Sequence, residues 1–142
     1  MSSYVVDASV VIEYLVTGSR TPYARALFNQ KIADDRLIVP EFCLLECTNV
    51  LWKHVRFQGM ETKQAEKLLR HLLKLPLSRT PVKAVLNSAL RIGLAHQLAI
   101  YDSAYVVLAM LFRCPLITID QPQQRAAAAE GITLKSITDF VP

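Results

Sequence analysis

The feature that most constrains this 142-residue chain is an alternation of short β-type runs with longer helical ones. The β-type runs are Tyr4 to Val6, RLIVP (36–40), PLSR (76–79), PLITI (115–119) and TLKSI (133–137). Helical patterns lie between them, over about 9–16, 21–34, 42–57, 62–75, 81–94, 101–112 and 121–130. Such alternation predicts an α/β domain built on a mostly parallel sheet. Thr21-Pro22 and Thr80-Pro81 each place a cap residue before proline, so a helix is expected to open at both. Gly59 interrupts one helical stretch, and Gly131 is expected to stop the last.

Hydrophobic residues make up 52% of the chain and charged residues 20%, a globular balance that excludes disorder. The length suits one domain, residues 1–142, around one core. No apolar stretch reaches the roughly 18 residues of a membrane span. The longest, LAIYDSAYVVLAMLF, is broken by Asp102, and the N-terminus lacks the basic start of a secretory signal. A soluble cytoplasmic protein is the expectation. Cys43, Cys47 and Cys114 form no CxxC and have no histidine spacing to complete a zinc pattern, so all three are read as small buried hydrophobes.

Four acids each interrupt an apolar run: Asp7 in YVVDASVV, Glu46 in PEFCLLECTNVLW, Asp102 in LAIYDSAYVV and Asp120 at the end of PLITID. A charge among apolar neighbours is costly unless it is paired. Asp7, Asp102 and Asp120 could each cap the helix that follows. Glu46 has no such outlet, because it lies inside a helix with no lysine or arginine three or four residues away. Asp7 and Asp120 both follow a β-type run and precede a helix. In open parallel sheets ligands bind beyond the carboxyl ends of the strands, so both acids are expected on one rim. If Asp7 belongs to a site, Ser9 becomes the better cap for the first helix.

Carboxylates gathered in one place repel one another and rise in pKa. A hard divalent cation relieves that. Ligands that are all oxygen suit magnesium or manganese rather than zinc, and His54, His71 and His96 lie near none of the four acids in sequence. Such a cage is suited to polarising phosphoryl oxygens and activating water. The net charge of +4 adds a mild hint of an anionic partner.

In order along the chain, VVDASVVIEYL, VPEFCLLECTNVLW, YDSAYVVLA and LITIDQPQQRAAAAEGI resemble the four motifs of the PIN-domain nucleases. Their acids lie 39, 56 and 18 residues apart. The closest likeness is to the small stand-alone PIN toxins of VapBC-type toxin–antitoxin pairs, and it covers essentially the whole chain. The resemblance implies a three-layer α/β/α sandwich and metal-dependent endoribonuclease activity. It implies magnesium or manganese held by Asp7, Glu46, Asp102 and Asp120, with Ser9 and Thr118 orienting the ligands. It also implies a homodimer and a cognate antitoxin that blocks the acidic pocket with a basic or otherwise polar side chain. Gln121 and Pro122 depart from the pattern, since many relatives carry a basic residue or a further acid there. A second metal would therefore find few protein ligands. Glu41 is a possible extra ligand, but its place at the mouth of a helix suits a first-turn acid.

Lys63, Lys67, Arg70 and Lys74 form one basic stripe on the fourth helix, opposite Leu69, Leu72 and Leu73. With Arg20 and Arg113 they are candidate RNA contacts, although a solvated face is the more ordinary explanation of the stripe. Trp52 and Phe57 read as core or dimer contacts. Two other functions are weighed. One is a catalytically silent or housekeeping PIN module that binds RNA or protein, against which the four intact acids argue. The other is a phosphotransfer enzyme with Asp7 as nucleophile, which would need an acid where Ser9 stands.

Overall fold

Four short strands pair in parallel in the order β3-β2-β1-β4. They are β1 (Ser3–Val6), β2 (Arg36–Pro40), β3 (Ser78–Thr80) and β4 (Leu116–Ile117). The computed structural model describes residues 3–31 and 36–142. Val5 lies between Ile38 on one side and Leu116 on the other, and Val6 faces Ile117. Tyr4 to Val6 and Leu37 to Val39 are buried, as expected of parallel strands covered on both faces.

Seven α-helices among the described residues cover the sheet. They are α1 (Ala8–Leu15), α2 (Thr21–Lys31), α3 (Cys43–Phe57), α4 (Thr62–Lys74), α5 (Leu86–His96), α6 (Ile100–Phe112) and α7 (Gln121–Ala129). The chain steps from β1 to β2 to β3 in one direction and then returns across the sheet to β4. Right-handed crossovers therefore put α1 to α4 on one face and α5 and α6 on the other. The packing agrees: α1 touches α2, α3 and α4, while α6 lies on β1, β2 and β4 between α5 and α7. The three-layer α/β/α arrangement is thus present. Ser103 to Ala109 of α6 are buried without a break, which makes α6 the core helix of its layer. No single helix among the described residues is long and apolar enough to cross a membrane.

The strand order reverses between β1 and β4. That reversal opens a crevice at the carboxyl ends of these two strands. Asp7 leaves β1 there, and Thr118 to Asp120 leave β4 there.

Several sequence expectations need correction. TLKSI is not a strand. It makes a single bridge, Leu134 to Leu116, with two backbone bonds. Ser136 then accepts the Thr138 N–H and turns the chain into the 3-10 turn Ile137–Asp139. Thr80 does not open a helix, because its backbone is held in the sheet: it lies opposite Pro40, and its carbonyl accepts the Glu41 N–H. A 3-10 turn, Lys83–Val85, precedes α5 instead, and α5 runs past Leu94 to His96. Glu41 accepts the Val82 N–H at 3.3 Å, so its role is local. The expected extension of α2 to Asp34 lies outside the described residues. On α4 the buried leucines are Leu68 and Leu72, and Leu73 is exposed. Trp52 and Phe57 are exposed and edge-on to each other, not core. Cys43 and Cys47 are fully buried, and their proximity together with burial pushes the Cys47 thiol far up. Cys114 is only partly buried.

Gly93 has a packing role that composition does not reveal. A Cβ there would lie 2.8 Å from the Leu98 carbonyl oxygen and 2.9 Å from Ile100 Cδ1. The α5–α6 turn folds back onto this position, with the Leu98 N–H donating to the Gly93 carbonyl. Gly93→Ala is expected to destabilise the protein by roughly 1–3 kcal/mol despite its higher helix propensity. Chemical denaturation against wild type measures this.

Candidate functional site

Asp7 is 5% exposed and sits where β1 turns into α1. Its extended backbone makes it the N-cap of α1, and its Oδ1 accepts the Val10 N–H at 3.2 Å. Ser9 was the expected cap. Instead Ser9 Oγ donates to Asp7 Oδ1 at 2.6 Å and accepts the Ile119 N–H. Asp7 can cap and still serve a site because a carboxylate has about four lone-pair positions.

Thr118 joins β1 to β4. Its Oγ1 donates to Asp7 Oδ2 at 2.5 Å and accepts the Asp120 N–H at 3.0 Å. Asp120 then caps α7, with its Oδ2 accepting the Gln123 N–H at 2.9 Å. The fully buried Gln123 side chain donates through Nε2 to the Asp102 carbonyl at 2.9 Å and so ties α7 to α6. The Gln123 Oε1 is buried without a partner among the described residues. Gln124 Nε2 donates to the Thr118 carbonyl. Across the rim, Tyr105 O–H donates to Glu46 Oε1 at 2.6 Å. Tyr105 lies three residues after Asp102, so one face of α6 carries both an acid and the donor for another.

Sequence reading missed Tyr105, Gln123 and Gln124. None of the three was singled out: Tyr105 lies in an apolar run and the glutamines in a polar one. The available signal was chemical: a buried tyrosine needs a partner for its hydroxyl.

The four predicted acids act on one another electrostatically. Burial pushes Asp7 up to about 6 against the hydrogen bonds from Ser9, Thr118 and Val10, and the Asp120 charge adds to the rise. Burial also raises Glu46 against the Tyr105 hydrogen bond, with Asp102 and Asp7 adding repulsion. Asp102 is raised by burial and then by Asp120. Among the described residues nothing donates to the Asp102 carboxylate, to Glu46 Oε2 or to Asp120 Oδ1. No three acidic, histidine or cysteine side chains among the described residues are gathered closely enough to form a ready-made cage, so the carboxylate cage expected from the sequence is not preformed. In donor type the residues fit a hard divalent cation: oxygen only, with free lone pairs and unrelieved repulsion.

The basic residues divide. Arg20 lines a cavity of ≈ 280 Å³ with Thr118, Gln121 and Gln124, at the same rim. Lys63, Lys67, Arg70 and Lys74 are exposed along α4, and nothing ties them to the acids. Arg113 lies just past the far end of α6, about 16 Å along the helix from Asp102.

An acidic crevice at the switch point of a four-stranded parallel sheet is the arrangement of a PIN domain, and the PIN-domain family profile matches residues 4–129. The chain belongs to the PIN-domain family. It is 30% identical over 119 residues to Ribonuclease VapC3 of Pyrobaculum aerophilum, covering 82% of this chain and 88% of that one. A crystal structure of another Pyrobaculum aerophilum protein matches with a TM-score of 0.73 at 18% identity, covering 97% of this chain and 92% of the other. VapBC2 from Rickettsia felis, solved on a DNA fragment from its promoter, matches with a TM-score of 0.68 at 13% identity, covering 94% and 98%.

Because Asp7 holds its proton more tightly in the folded state than its usual 3.8, folding takes up a proton between about pH 4 and 6. Its contribution therefore falls as pH rises through that window and stays unfavourable above it. In metal-free protein at pH 7.5, Asp7→Asn is expected to raise stability by on the order of 2 kcal/mol. The gap to wild type should shrink as pH falls to 5, which melting curves in EDTA would show.

Proposed function

We propose that this chain is a divalent-metal-dependent endoribonuclease and the toxin of a toxin–antitoxin pair. The observation that supports the reading is that Asp7, Glu46 and Asp102, on a PIN fold, are each raised by burial and in part by the charge of another of the four acids. The relative named a ribonuclease and the neighbour solved as a VapBC complex support it.

In this reading the four acids hold magnesium or manganese. When bound, the ion supplies an activated water and neutralises charge on the phosphodiester. The chain's own residues do the positioning. Ser9 and Thr118 hold both oxygens of Asp7, so its free lone pairs point one way. Tyr105 occupies Glu46 Oε1 and leaves Oε2 for the ion. Gln123 sets the spacing of Asp102 and Asp120 by bonding to both segments. Arg20 contacts a substrate phosphate from the same rim. The protein works in the cytoplasm as a homodimer, and its antitoxin places a basic or polar side chain among the acids.

Wild type is expected to cut total cellular RNA at mapped ends with magnesium or manganese and to stop in EDTA. Asp102→Asn and Glu46→Gln should each lose at least about a hundredfold while melting cooperatively. Undiminished cleavage in EDTA would rule out the metal mechanism, and no cleavage by wild type would favour a silent binding module. Manganese at about 100 times its dissociation constant should stabilise wild type by about 2.7 kcal/mol. Tyr105→Phe, which leaves Glu46 without its donor, should weaken that gain roughly tenfold in manganese affinity, measured by calorimetry.

A further inference from the structure

The acids are not alone at the rim. Beside Glu46 lies a cavity of ≈ 480 Å³ lined by Phe42, Leu45, Glu46, Asn49 and Tyr101. We propose that this cavity seats one nucleobase of the RNA next to the bond that is cut, with Tyr101 as the stacking surface and Asn49 as the reader of the base edge. The proposal rests on the ribonuclease reading above.

Three observations carry it. The first is continuity with the acids. Glu46 is a wall of the cavity, and Tyr101 immediately precedes Asp102, so a base seated there is adjacent to a phosphate at the carboxylates. The second is the state of Tyr101. Its side chain is 61% exposed, yet its ring is braced edge-on by Phe42 at 5.2 Å and 85°. Phe42 is braced in turn by Tyr105, the residue that holds Glu46. An exposed aromatic ring with a fixed tilt is what base stacking uses. The third is Asn49, one turn beyond Glu46 on α3 and exposed, with no hydrogen bond from its amide among the described residues. An amide offers a donor and an acceptor side by side, the pattern that a base edge matches. Lys53, four residues on, continues the same helix face and is exposed.

The lining also says what does not belong there. An aliphatic protein side chain would bury the Glu46 carboxylate and the Asn49 amide against nothing polar. On the other side of Tyr101 a second cavity, of ≈ 270 Å³, is lined by Val82, Val85, Leu86 and Ile100 and carries no charge. Of the two, only the first offers polar partners to a polar ligand.

The test uses a library of short single-stranded RNAs with randomised sequence, cleaved in manganese and sequenced at the new ends. Wild type is expected to favour particular bases at one position beside the cut. Tyr101→Ala should lower kcat/KM about tenfold, and Tyr101→Phe should retain the wild-type rate. Asn49→Ala should flatten the preference at that one position and leave others unchanged, and Asn49→Asp should shift it. Both residues are exposed, so melting temperatures should stay at the wild-type value. Cleavage by wild type with no base preference overturns the subsite and leaves the ribonuclease reading standing. So do variants with unchanged preference, including variants that alter only oligomeric state on size exclusion or antitoxin binding. A wild type that cuts no RNA overturns both.

Discussion

The structure turns on one arrangement: a carboxylate, Asp7, buried at the end of the central strand and held by two hydroxyls and one backbone N–H. A buried carboxylate needs partners, and these partners come from both ends of the chain. Ser9 comes with the strand–helix turn. Thr118 comes from β4, which has to lie beside β1 to deliver it. Once Thr118 is in place, its hydroxyl and carbonyl organise the next turn: Asp120 hangs from one and Gln124 from the other. The position of β4 and the start of α7 thus follow from satisfying one charge.

The same economy extends over the rim. α6 carries Asp102 towards the crevice and Tyr105 towards Glu46, so one helix with a buried middle sets two acids at once. Gln123 fastens that helix to α7. Asp7, Glu46 and Asp120 are each held through a side-chain oxygen, while the Asp102 carboxylate is positioned only through its backbone. Burial, and to a smaller extent repulsion among the acids, raises three of them, and among the described residues no lysine or arginine pairs with them. That residual cost is the physical basis for proposing that the acids serve a ligand.

Much of this was legible in the sequence. The four acids stood out because each broke an apolar run, and the alternation of strand and helix patterns predicted the parallel sheet. What escaped has a common cause: it depends on neighbours distant in the chain. Thr80 looks like a helix cap until Pro40 and Glu41 claim its backbone for the sheet. TLKSI has strand composition, but it meets β4 at a single residue before Ser136 turns it away. Tyr105 and Gln123 sit in segments whose local pattern says core and surface, and their roles appear only across helix boundaries. Trp52 and Phe57 have core composition at helical spacing, but α3 turns that side to solvent.

The strand order has a consequence for folding. Asp7 and its hydroxyl partner Thr118 are separated by 111 residues. β1 pairs with a strand that lies beyond β2, β3 and six α-helices along the chain. Until that pairing forms, Asp7 has only its local partners, Ser9 and the Val10 N–H. Closing that long loop is the slowest kind of contact to form. The hydroxyl support that Thr118 gives Asp7 is therefore expected to arrive only after the local strand–helix turns have formed.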